Sequence, residues 1–200
     1  MRKITINLAA VAAFCIVVAS PALVSSSCAT PKTEQEDTTI IREDSGITAL
    51  KYSSPEVPAS IEFCGKTIDL SRFDRHERMD RELLAFTYMH STSLQMLKKA
   101  NRYFPIVEPI LKENGIPDDF KYLMVIESNM NPTARSSAGA AGLWQFMQGT
   151  GRDYGLEVNN NVDERYHIEK ATRAACRYLK DAYAKYKDWV AVAASCYAGQ

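Results

Sequence analysis

The spacing of apolar positions along this chain changes character several times. From Ile4 to about Val24 they run almost unbroken, interrupted mainly by Thr5, Asn7, Ser20 and Pro21. Residues 29–60 show little periodic pattern and are rich in Thr, Ser, Pro, Glu and Asp, the composition of a flexible tether. Within residues 61–72, Ile61 and Phe63, then Ile68 and Leu70, alternate about Gly65 and predict a small hairpin. After Phe73 the period becomes helical. Met79, Leu83, Phe86 and Tyr88 mark one helix, a second is expected from Ser91, Thr92 and Ser93, and a third from after Pro105 to about Asn114. Gly115 and Pro117 stop that helix and start the next, with Asp118 and Asp119 favourable in its first turn. Ile168, Ala171, Ala175, Leu179, Ala182 and Tyr186 form one face of a long helix whose alanines allow close packing, and Trp189 to Tyr197 is a further apolar helix. The fold expected is mainly α, over residues 73–200, preceded by the one hairpin.

Composition narrows the picture. With 46% apolar and 24% charged residues the chain is globular in type. Its 24 basic and 24 acidic residues cancel, and no block of like charge points to nucleic acid as a partner. Met1, Arg2 and Lys3 ahead of the first apolar run form a secretory signal, the competing reading being a membrane helix, because the run is close to the roughly 20 residues that span a bilayer. The signal ends in LVSSSCATP, which resembles a bacterial lipobox with Cys28 as the lipidated residue. Ser25 stands where an aliphatic residue is usual, and simple cleavage near Ala22 is the alternative. Residues 1–28 therefore read as a signal peptide ending at Cys28, and the chain as a membrane-anchored lipoprotein exported across the inner membrane to the periplasm. Cys64, Cys176 and Cys196 remain in the mature chain, with no CxxC or Cys/His spacing suited to zinc. No metal or cofactor is expected. An oxidising compartment permits a Cys176–Cys196 disulfide, and buried free thiols are the other outcome.

One residue contradicts its surroundings. Tyr122 to Ile126 are apolar on every side of a helical wheel, yet Glu127 follows directly. A carboxylate among apolar neighbours is costly unless it is paired, neutral or useful. Desolvation should raise its pKa and keep it protonated near neutral pH, the state of a general acid. Further on, NPTARSSAGAAGLWQFMQGTGRDYGL combines glycines that let backbone approach a ligand with Trp144, Phe146 and Tyr154 and the amide of Gln145. Flat aromatic faces beside an amide suit a sugar. Asp153, Glu157, Asp163 and Glu164 lie in polar stretches and read as solvated charges or loop hydrogen-bonders, which leaves Glu127 as the single good acid.

GIPDDFKYLMVIES, NPTARSSAGAAGLWQFM and YGLEVNNNVDERYHIEKATRAACRYLKDAY, in that order, resemble the catalytic domain of the lytic murein transglycosylases, most closely the membrane-bound D type. The resemblance runs from roughly Glu77 to the last residue. It implies a lysozyme-like helical fold and cleavage of the β-1,4 bond between N-acetylmuramic acid and N-acetylglucosamine in peptidoglycan glycan strands, with formation of a 1,6-anhydro ring. It also implies Glu127 as acid and then base, and substrate contacts by Gln145, by Tyr154 and by Ser128, the last resembling the residue that orients the substrate's N-acetyl group. Gln148 replaces a usual proline. At the third motif Cys196 and Tyr197 replace tyrosine and asparagine, and relatives continue beyond this point, so the domain is expected to be incomplete at its C-terminus. Two other readings stay open: a peptidoglycan-binding protein impaired in turnover, and a hydrolytic lysozyme of similar fold.

If Cys28 bears an acyl anchor, the mature chain partitions with membranes and Cys28→Ala shifts it to the soluble fraction or leaves it unprocessed. Unchanged partitioning with the signal still attached would favour the membrane-helix reading.

Overall fold

The computed structural model describes residues 55–198. The signal, Cys28 and most of the tether lie outside them. Strand β1 (Ser60–Phe63) pairs antiparallel with β2 (Lys66–Asp69), in a register that sets Ile61 opposite Ile68. Cys64 and Gly65, at φ 52° and 73°, make the two-residue turn. Positive φ at both positions matches the right-handed twist of the strands. The backbone N–H of Cys64 donates to Asp119 Oδ2 at 2.7 Å, and Lys66 Nζ bonds Asp188 Oδ2 at 2.6 Å, so the hairpin is fastened to the helical body at two points.

Helix α1 (Phe73–Tyr88) carries Met79 and Leu83 into a small cluster with Leu70, which Ile61 and Ile68 of the hairpin help to cover. Helix α2 (His90–Glu113) is continuous, where the sequence predicts two helices separated near Pro105. Pro105 and Pro109 both lie inside it. A proline removes one intrahelical bond and frees the carbonyl four residues earlier. Here the two prolines, four residues apart, share the exposed side of α2, where water can satisfy the carbonyls of Asn101 and Pro105. The opposite side, with Ala100, Tyr103, Phe104, Val107, Ile110 and Leu111, keeps an unbroken buried stripe that holds the helix together.

A 3-10 turn (Asp118–Phe120) leads into α3 (Lys121–Ser128). Lys121 is largely buried at the start of α3, paired with Glu108 Oε1 at 2.7 Å and with Asp118, and its ammonium lies about 5 Å from the ring centres of Phe104 and Tyr122. This cluster pins the first turn of α3 onto α2. Short helix α4 (Gln148–Asp153) lies in a stretch that the sequence, with Gly149 and Gly151, marks as loop. A second 3-10 turn (Glu164–Tyr166) precedes α5 (Ile168–Tyr186), and α6 (Trp189–Ala198) completes the described residues. Helix α5 buries Ala171, Ala174, Ala175, Leu179 and Ala182 and packs chiefly on α2, and also on α6. The fold is thus the mainly helical one expected, with its one small hairpin. Among the described residues no helix is long and apolar enough to cross a membrane.

Phe120 is fully buried and meets Trp189 edge to face, ring centres 5.3 Å apart. Phe120→Ala is expected to lower unfolding free energy by about 3–5 kcal/mol. Phe73→Ala, at a side chain 81% exposed, should change it by less than about 0.5 kcal/mol. Denaturant midpoints measured at constant m-value check both.

Candidate active site

Glu127 lies one helical turn beyond Leu123, so both project from the same side of α3. They face a cleft of about 450 Å3. Ala175, Tyr178 and Leu179 of α5 line it, as do Trp144, Gln145, Phe146 and Met147 from the segment before α4, and Thr150, Tyr154 and Cys196 complete it. Burial pushes the Glu127 carboxyl up to about 6, and desolvation is its sole cause. No cation offsets it. The shift has the direction that the apolar sequence predicts, but its size moderates the expected neutrality: roughly a tenth of the molecules hold the proton at pH 7, and the acid form predominates only below about pH 6. Glu127 is the only acidic side chain lining the cleft among the described residues.

The backbone reverses immediately after this carboxyl. Asn129 and Met130 both take positive φ, 51° and 52°, and Met130 is fully buried. Asparagine tolerates that conformation and methionine rarely adopts it, so packing must hold it there. The N–H groups of Asn129 and Met130 return to the carbonyls of Val125 and Met124. Ser128 Oγ lies 3.0 Å from the carbonyls of both Met124 and Leu143 and can donate to either. It ties the end of α3 to the segment opposite and is not among the cleft-lining residues.

That segment is held by tight turns and isolated bridges. Gly142, at φ 78°, donates to Ala134 O, and Ala141 donates to Phe146 O. A Cβ on Gly142 would stand 1.9 Å from the carbonyl oxygen of Arg165, so both the conformation and the contact require glycine. Gln145 is also in the left-handed region, at φ 48°, and its Nε2 donates to Gly142 O at 2.8 Å and Ala134 O at 3.3 Å. The amide nitrogen thus braces its own loop, and among the described residues Oε1 accepts no bond and is available to a ligand N–H or O–H. Trp144 is nearly buried, its Nε1 donating to Thr172 Oγ1 at 3.0 Å, which in turn donates to Ile168 O.

Tyr154 and Tyr178 meet edge to face at 5.4 Å, and Phe146 meets Tyr178 the same way at 6.4 Å. The Tyr154 carbonyl accepts from the Arg177 guanidinium, which fixes the end of α4 against α5. Tyr178, at the centre of this aromatic group, is a cleft residue that the sequence reading missed. Its position three after Ala175 and four before Ala182 places it on the small-residue face of α5, which was a usable signal. Burial pushes its hydroxyl up to about 12, so it stays a neutral donor. Cys196 is a cleft residue too, and burial together with the Glu127 charge raises its thiol to about 11.

The other acids do as their polar context suggests. Glu157 accepts from Asn159, Asp163 from Arg165, and Glu164 from Glu157 N and Lys170. Cys64, Cys176 and Cys196 are free thiols, so the Cys176–Cys196 disulfide is not formed. No group of three or more His, Cys, Asp or Glu able to hold a metal occurs among the described residues.

Residues 105–200 match the family model of the Transglycosylase SLT domain. The chain is 30% identical over 125 residues to the membrane-bound lytic murein transglycosylase D of Escherichia coli K12, a match that covers 62% of this chain and 27% of that protein. The figures are the same for the protein of that name in E. coli O6:H1 (strain CFT073 / ATCC 700928 / UPEC). A protein of Alteromonas sp. (strain M-1) named for tributyltin chloride resistance is 22% identical over 103 residues, 51% of this chain and 50% of that one. The chain spans about a quarter of the length of the two E. coli relatives. Glu127 and the segment facing it both fall inside the matched region, residues 105–200, over which the chain is similar to the transglycosylase SLT family.

Proposed function

We propose that this domain is a peptidoglycan lytic transglycosylase with Glu127 as its single acid and base. The observation that carries the reading is a lone carboxyl, raised by desolvation alone, in a cleft with aromatic walls. Protonated Glu127 gives its proton to the glycosidic oxygen as the bond from that oxygen to the muramic anomeric carbon breaks. The carboxylate then takes the proton of the sugar's 6-hydroxyl as that oxygen bonds the same carbon, closing the 1,6-anhydro ring. Glu127 ends protonated, ready for the next turnover. Glycosidases that use two carboxyl groups need both beside the scissile bond. Among the described residues no second acid lines the cleft, which supports a route in which the substrate's own N-acetyl carbonyl stabilises the anomeric centre. Gln145 Oε1 and Tyr154 contact the sugars, and Ser128 acts by holding α3 against the Leu143 carbonyl.

A binding protein without turnover is the second reading, and Cys196 favours it: a thiol stands in the cleft where the third motif of relatives brings a phenol. The E. coli relatives are membrane-bound by name, which accords with a lipid anchor at Cys28 and a place on the periplasmic side of a membrane.

Mass spectrometry of peptidoglycan after incubation separates the readings. Anhydro-muropeptides are expected; reducing muropeptides would indicate hydrolysis, and binding without product the second reading. Glu127→Gln should reduce release by at least about a thousandfold, because one residue serves both proton steps. For wild type, kcat/KM should fall as pH rises through about 6. The same substitution should stabilise the fold. A carboxyl with a folded pKa of about 6 against 4.5 penalises folding as pH rises through that window, fully above it, by at most about 2 kcal/mol. Melting curves should therefore coincide for the two proteins near pH 4 and diverge in favour of Glu127→Gln above pH 6. Near wild-type product release by Glu127→Gln would remove Glu127 from the mechanism.

A further inference from the structure

Four of the twelve cleft-lining side chains come from residues 144–147, a stretch with little regular structure before α4. Something must hold that wall to the tolerance that glycosidic chemistry demands. We propose that Arg165, which does not itself line the cleft, is the positioning residue for this wall; the assignment deepens the transglycosylase reading and rests on it for its catalytic consequence.

Arg165 is 2% exposed and touches the wall along its whole length. Nη1 donates to Gly139 O at 2.8 Å and to Phe146 O at 2.9 Å. Nε and Nη2 clasp the two oxygens of Asp163 at 2.9 and 2.7 Å. Its carbonyl fills the space that a Cβ on Gly142 would need, and its stem carbons lie 3.3 Å from where a Cβ on Gly151 would be. Gly142 supplies the carbonyl that braces the Gln145 amide, so the contacts lead from Asp163 through Arg165 to Gln145 and Phe146. A guanidinium has the planar fork that reaches a carboxylate on one side and two carbonyls on the other. An ammonium of similar charge is a point donor and cannot span both. Glu127, on α3, is outside this set of contacts.

The test uses the full chain in detergent, comparing wild type with Arg165→Lys. Expected are a KM for solubilised glycan strands raised about ten- to a hundredfold, a smaller loss of kcat, an unmoved limb of kcat/KM near pH 6, and faster amide exchange in residues 141–147 than in α2 and α5. Unchanged KM together with unchanged exchange would overturn the assignment, as would a displaced pH limb with normal exchange, which would place Arg165 in the proton chemistry. Should Arg165→Lys fail to fold, Asp163→Asn decides by the same measurements: it keeps the Nη1 bonds and weakens the clasp, so a KM increase of at least about threefold with faster 141–147 exchange supports the role, and no change in either refutes it. If wild type releases no muropeptides, the transglycosylase reading fails. Binding of the N-acetylglucosamine tetrasaccharide and amide exchange then judge Arg165 independently, weaker binding with faster exchange in the variant supporting it and unaltered values refuting it.

Discussion

The close packing of α5 on α2 is the constraint from which the rest of the domain follows. Alanines at 171, 174, 175 and 182 bring the two helices near enough for the Cys176 sulfur to lie 4.0 Å from the Ile110 carbonyl. Because α5 runs so close, its next positions become working surface: Tyr178 and Leu179 line the cleft, Thr172 receives Trp144, and Arg177 holds the end of α4. A larger side chain at 175 would push into the cleft itself. The packing of one helix pair thereby sets the width of the cleft and the tilt of its aromatic walls.

Within that frame the electrostatic design is spare. Several of the described cations pair with other acids: Lys121 with Glu108 and Asp118, Arg165 with Asp163, Lys170 with Glu164 and Arg173 with Glu113. A cation beside Glu127 would lower its pKa and fix it as a carboxylate, whereas desolvation alone leaves it near 6, where both protonation states are reachable. That midway value suits the acid-then-base role proposed for Glu127. The aromatic lining therefore has two effects, presenting flat apolar faces in the cleft and lowering the local polarity around the carboxyl.

How much of this was legible in the sequence depended on the kind of signal each element leaves. Helix α5 and the hairpin follow from apolar period, and Glu127 from its conflict with the five apolar residues before it. The continuity of α2 through Pro105 and Pro109 was not legible, because a proline's effect depends on whether it faces water, and that is known only once the buried side is assigned. Helix α4 was hidden because Gly149 and Gly151 are poor helix formers; a Cβ on Gly151 would stand 3.3 Å from the Arg165 stem carbons. Arg165 itself was invisible for a more general reason. A single cation in the polar run VDERYH reads as a solvated charge, and nothing in local spacing reveals that carbonyls 19 and 26 residues earlier in the chain converge on it.

These misses share a cause, and it bears on how the site works. Apolar period reports which side of an element is buried, so it finds the acid and the packed frame. It does not report polar contacts between segments distant in sequence, and the cleft wall before α4 is held largely by such contacts: Ser128 to Leu143, Gln145 to Gly142 and Ala134, Trp144 to Thr172, Arg165 to Gly139 and Phe146. Hydrogen bonds of this kind contribute about 1 kcal/mol each to folding, little beside the burial of Phe120 or Val107. Their larger effect is on geometry, since each fixes an angle that apolar packing leaves free. The frame can therefore survive a loosened wall, and substrate affinity can be lost from this domain while its stability and the pKa of Glu127 stay nearly as they are.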